Sequence, residues 1–127
     1  MCYDMRYHHI AVDDVEPTPE RPSVQRSISG TAGLENLSAH VYDVDPGEQI
    51  PLAYHYHDQQ EEVFYVVEGT LSVETPEETF EVDTGEAFVV EPESPQRAFV
   101  PESADASVRT FVVGAPAVSD AHAYDGE

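Results

Sequence analysis

The sequence predicts an all-β chain folded as an antiparallel sandwich or barrel. Short apolar and β-branched runs recur at roughly 8–12-residue spacing, with turn residues between them. No stretch between residues 37 and 113 carries the periodicity of an amphipathic helix. The 127 residues suffice for a single domain with one core.

The elements follow in order. Residues 1–22 read as an N-terminal arm, because Asp13 to Pro22 combines acids with three prolines and suits neither a helix nor a central strand. The barrel domain is expected over residues 23–114. Val24 to Ile28 is its first short strand, and Ser29-Gly30-Thr31-Ala32-Gly33 a loop. Leu37 to Val44 follows, stopped by Asp45-Pro46-Gly47-Glu48, where Pro then Gly suits a type II turn. Ile50 to His57 is expected to be extended, with Asp58-Gln59-Gln60 turning the chain. Glu62 to Val67 holds Val-Phe-Tyr-Val-Val, apolar on both faces, as in a strand covered on two sides. Glu68-Gly69 makes a tight hairpin into Thr70–Thr75. Thr79–Val82, Ala87–Val90, Arg97–Val100 and Ser107–Val113 complete eight or nine strands. Residues 115–127 form a short tail, expected along the outside.

Charge narrows the function. The chain has 26 Asp and Glu against five Arg and no Lys, a formal net charge of −21. Nucleic-acid surfaces and polybasic membrane anchors need clustered positive charge, so neither is expected as a partner. The acids are dispersed, 16 of them between Asp43 and Glu102, where Arg97 is the one opposing charge. At low salt such a field repels itself; in molar salt the screening length falls to about 3 Å and the repulsion fades. Dispersed carboxylates without lysine resemble the surfaces of halophilic cytoplasmic proteins. The alternative, an acidic partner-binding protein, should carry its charge on one side. Cys2 is the one cysteine, so no internal disulfide forms, and its terminal place suits a catalytic thiol poorly. Met1 to His9 contains no apolar leader core, and no run approaches the ~20 apolar residues of a membrane span. A cytoplasmic location is expected.

The chemistry concentrates at His55-Tyr56-His57. Residues i and i+2 of a strand project from one face, so both imidazoles can converge on one ion. Glu61 and Glu62 lie just past a turn, where an adjacent antiparallel strand can bring a carboxylate alongside. Two imidazoles and one carboxylate suit divalent Fe, Mn, Ni or Zn. A pair of solvent-facing histidines in an acid-rich chain remains the plainer reading of these residues.

The stretch from Gly47 to Gly69 resembles the first motif of the cupin superfamily: a Gly, then His-x-His, three or four residues, Glu, six residues and Gly. His57 to Glu62 leaves four residues between and Glu62 to Gly69 six, which selects Glu62 over Glu61; the spacer from Gly47 to His55 is longer than the family's. Asp83 to Phe99 is similar to the second motif, but the His that supplies the remaining ligand there is replaced by Gln96-Arg97. The resemblance implies Gln96 at that position, with Arg97 as its rival. A Gln can bind a cation only through a neutral amide oxygen, and an Arg cannot bind one. It further implies a double-stranded β-helix (jelly-roll) barrel, usually a homodimer, with a small-molecule pocket at one end and a divalent metal on His55, His57, Glu62 and Gln96.

Two functions follow as expectations: a metal-dependent enzyme of oxygenase or isomerase type, or a small-molecule-binding module without turnover, which the lost His favours. Tyr54, Tyr56, Phe64, Phe88 and Phe99 either line the pocket or fill the barrel core. His40 is a substitute ligand if it faces inward; His8 and His9 read as arm residues, and nothing requires His122 to fold back. Arg97 is expected to pair with Glu91 or Glu93.

Overall fold

The computed structural model describes residues 5–126, so Cys2 lies outside it. Two antiparallel layers close over one core. The first has five strands in the order β1 (Val24–Ser27), β2 (Ser38–Val44), β9 (Val108–Ala115), β4 (Glu61–Glu68) and β7 (Ala87–Val90). The second pairs β6 (Thr79–Val82), β5 (Leu71–Glu74) and β8 (Arg97–Phe99). Single bridges from Phe99 to Gln49 and from Gln96 to His55 carry it on to β3 (His55–His57), which pairs with β10 (Ala121–Ala123). Alternation along each strand sends one set of side chains inward. Val44, Phe64, Val66, Val108 and Val112 meet Leu71, Val73, Val82 and Ala98 across the layers, all buried. Each Val, Leu or Phe side chain among them contributes roughly 1.5–3 kcal/mol by leaving water.

The expected strands from Leu37 to Val113 are present, with shifts at their ends, but three local expectations are corrected. Residues 29–33 are not a loop: Ile28–Ala32 forms a short helix, α1, which shortens the preceding strand. The Ser27 side chain accepts from the Gly30 amide at 2.8 Å, and Gly33 ends the helix in the left-handed conformation. Ile50 to His57 is not continuously extended. The ladder breaks after Ile50, at Pro51, which has no N–H to donate, and resumes only at His55.

β4 is covered on one side only. Phe64 and Val66 point into the core, whereas Val63, Tyr65 and Val67 are 43–48% exposed on its outer face. The N-terminal segment covers the other half of that layer: Arg26 donates to the Val15 carbonyl, and Arg109 bridges Asp13 and Asp43. The tail is mostly exposed on the outside of the barrel. It enters the sheet as β10, with Ala121 opposite His57 and Ala123 opposite His55.

Two tests address this fold. Gly69 turns the β4–β5 hairpin at φ +85°, and a Cβ there would stand 2.6 Å from the Ser107 carbonyl oxygen. Gly69→Ala is expected to destabilise by about 2–4 kcal/mol in urea unfolding, combining left-handed strain with a backbone clash. The dispersed charge of −21 predicts that raising KCl from about 0.1 to 2 M lifts the thermal midpoint by about 10 °C or more; a flat or falling midpoint contradicts it.

Candidate functional site

β3 is three residues long and is gripped on both edges. On one side His55 and Gln96 exchange backbone hydrogen bonds, at 3.3 Å and 2.9 Å. On the other it ladders with β10. His55 and His57 therefore project together, and their rings stand 4.9 Å apart, edge to face. Glu62 reaches the same point from β4. One donor atom each from His55, His57 and Glu62 lie within 4.8 Å of one another. Ligands about 2.1 Å from a common ion are separated by about 3–4 Å, so the three are close to a binding geometry.

The ring nitrogens are already assigned by their outer partners. His55 Nδ1 lies 3.0 Å from the Ala53 carbonyl oxygen, which only accepts, so Nδ1 carries the proton. His57 Nδ1 lies 2.9 Å from Asp120 Oδ1, again an acceptor. Both rings thus turn Nε2 inward, as outer partners of ligating histidines do. His57 Nε2 sits 3.3 Å from Glu62 Oε1 without hydrogen-bond geometry. Carboxylates at both nitrogens raise the pKa of His57, Glu62 most and Asp120 after it, against the cost of burial. Burial instead lowers the pKa of His55. A ring between two carboxylates calls for positive charge at Nε2, supplied by a proton or by a cation.

Gln96 is 2% exposed and faces this cluster. Its Nε2 donates to Glu62 Oε1 at 3.4 Å, while its Oε1 is buried without a hydrogen-bond partner. Arg97, one residue on, points to the opposite face. There it pairs with Glu74, donates to Gln49 at 2.8 Å and stacks over Phe99, so the expected pairing with Glu91 or Glu93 is incorrect.

The cluster opens into a cavity of about 640 Å³ between the two layers. His40 faces inward here, but it stands outside the donor cluster, its Nδ1 buried and unpartnered. Of the aromatic candidates, Phe64 alone lines the cavity. Tyr54 packs on Tyr124, Tyr56 on His122, and Phe88 on Phe80. His122 does fold back, its Nε2 2.7 Å from Asp58 on the exposed side of β10. His8 and His9 are exposed in the N-terminal segment.

Two contributors carry no signal in the sequence. Asp120, from the tail, orients His57 and also accepts from the Gln59 and Gln60 amides at 2.6 Å and 3.2 Å. Arg21, at the end of the presumed arm, lines the cavity and donates to the Ile50 carbonyl at 3.2 Å. Among 26 acids and five arginines, composition distinguishes neither.

A cupin domain model matches residues 40–114, more than half of the chain. The chain belongs to the cupin domain family. It is 32% identical over 92 residues to the polyketide synthase CurC of Streptomyces cyaneus, an alignment covering 68% of this chain and 56% of that protein. Among solved structures, a cupin-superfamily sugar phosphate isomerase from Silicibacter pomeroyi superposes with a TM-score of 0.77 at 21% identity, covering 93% of this chain and 82% of that one. The polyketide cyclase RemF of Streptomyces resistomycificus gives 0.71 at 23% identity, covering 89% and 81%. Among the described residues no helix is long and apolar enough to cross a membrane.

Asp120→Ala removes the acceptor of two loop amides at once. Hydrogen exchange at Gln59 and Gln60 is expected to quicken by about tenfold or more relative to the β9 amides, read by mass spectrometry or NMR.

Proposed function

We propose that this cupin binds a small carbonyl compound beside a divalent metal held by His55, His57 and Glu62, and catalyses its isomerisation or cyclisation. Gln96 takes the fourth position, as a weak amide-oxygen ligand or as a donor to Glu62. The observation that carries this reading is the donor cluster itself: three ligand atoms converge at the wall of a cavity large enough for a small molecule. Their tautomers support it, since both imidazoles turn Nε2 inward.

The metal, when bound, supplies a Lewis acid for a carbonyl oxygen. The chain's own groups do the positioning. Asp120 fixes the ring of His57, the Ala53 carbonyl fixes that of His55, and the Gln96 amide holds Glu62 in place. Ile50, Phe64 and Val112 line the cavity with apolar surface, which lowers the local dielectric and strengthens each polar contact. The reaction class rests on the relatives. Ring closure of a polyketide and isomerisation of a sugar phosphate both begin at a carbonyl group, and neither changes the overall oxidation state. That favours the isomerase side of the expected pair over the oxygenase side.

Elemental analysis after loading with Zn(II) or Mn(II) and desalting tests the centre. About one equivalent is expected in the parent, and about tenfold less in His55→Ala and His57→Ala. Gln96→His, which adds an imidazole, should tighten binding by about tenfold or more. A parent that retains no metal overturns the proposal.

Solvent-deuterium incorporation beside the carbonyl of β-diketones and α-hydroxyketones tests the reaction. It should run faster with the loaded parent than with free metal or with His57→Ala. Equal rates would favour the module without turnover, the reading supported by Gln96 in place of a ligating His.

A further inference from the structure

We propose that Arg21 forms an anion subsite in the cavity, so that the ligand is a carboxylate or another small oxyanion. This deepens the reading of the cavity as a ligand site and does not depend on the metal. In a chain with 26 acids, a guanidinium finds a carboxylate readily. Of the other described arginines, Arg26 pairs with Asp43, Arg97 with Glu74, and Arg109 with Asp13 and Asp43, while Arg6 is exposed in the N-terminal segment. Arg21 pairs with no carboxylate among the described residues. Its guanidinium donates to the neutral Ile50 carbonyl, and its Nε is buried without a partner among the described residues.

The backbone is constrained next to Arg21. Glu20 holds a left-handed φ of +61°, which a residue with a side chain adopts only under constraint, and Pro22 follows. Arg21, between them, lines the cavity. It shares the cavity lining with His40 and with Tyr42, whose hydroxyl accepts from Gln25 Nε2 at 2.6 Å. His40 adds a buried Nδ1 with no partner.

The placement of the charges points the same way. The charged residues lining the cavity are Arg21, Glu62 and Asp120. Glu62 and Asp120 both lie against His57, at 3.3 Å and 2.9 Å, and among the described residues neither forms an ion pair with Arg21. A monoanionic oxygen group placed at Arg21 acquires the charge-assisted hydrogen bonds the protein withholds, and the remainder of the molecule extends toward the His55–His57–Glu62 wall.

The test uses benzoate as probe and neutral benzamide as its control, with the full chain in EDTA at fixed KCl, so that carboxylate–metal binding cannot contribute. Calorimetric titration should show saturable benzoate binding, about tenfold or more tighter than benzamide. Arg21→Ala should lose about tenfold or more of it and Arg21→Lys should recover part. The Arg21 Nε–H resonance should shift along the titration, which a purely structural arginine would not show. An unchanged melting temperature in Arg21→Lys guards against misfolding. No saturable benzoate binding, or equal binding by Arg21→Ala, overturns the subsite.

A parallel arm with Zn(II) separates the two proposals. Zinc retention with Arg21-independent benzoate binding sinks the subsite and leaves the metal reading standing. Arg21-dependent benzoate binding by a chain that retains no zinc does the reverse.

Discussion

Every feature of the site depends on one short strand being held along both edges. Three residues of β structure cannot fix side chains by themselves, since isolated pairing of that length is marginal in water. His55–His57 is fixed because Gln96 pairs with it on one side and Ala121–Ala123 on the other. The first contact places the Gln96 side chain beside the imidazoles. The second brings Asp120 to His57. The same backbone bonds that stabilise the edge of the barrel therefore set the positions of the ligand atoms, so the geometry of the site is coupled to the pairing of the tail.

That coupling explains why a terminal segment matters to the centre of the molecule. Asp120 touches a ring nitrogen and two loop amides at once. Its carboxyl is held below the ordinary range: burial pushes the pKa up, and the Gln59 amide, His57 and the Gln60 amide together pull it further down. A carboxylate in that place does two jobs. It closes the turn after β3, and it determines which nitrogen of His57 is free to bind. A neutral amide at position 120 could keep the turn, but could offer its NH₂ to the ring and admit the wrong tautomer.

The fold and the site were legible in the sequence to different depths. Strand periodicity, Pro46-Gly47 and Glu68-Gly69 were enough to locate the central ladder, because alternation and turn chemistry act within a few residues. His55, His57 and Glu62 could be chosen by spacing, since i and i+2 on a strand share a face whatever surrounds them. The helix at Ile28–Ala32 escaped notice because it is a single capped turn with no apolar stripe. Asp120 and Arg21 escaped for a different reason. Asp120 acts across 63 residues of chain and Arg21 across 29, each on a partner that only the closed barrel brings near. The apolar run Val63–Val67 misled, because hydrophobicity on both faces does not say whether both faces are covered.

Gln96 is the residue at which pattern and physics most need each other. By family pattern it marks the loss of a ligand. By geometry it remains committed to the site: it is 2% exposed, spans from His55 to Glu62, and donates its amide hydrogen to the carboxylate. The opposite rotamer would set its oxygen against Glu62, two acceptors face to face, so the observed orientation is the favourable one. That orientation leaves Oε1 buried without a hydrogen bond, at a cost of about 1–3 kcal/mol unless a donor or a cation meets it. An apolar residue would have filled the same space without that cost. The amide is consistent with a centre that has exchanged a strong neutral donor for a weaker one. With Glu62 as the one anionic ligand among the four, a divalent ion would keep net positive charge and most of its capacity to polarise a bound oxygen.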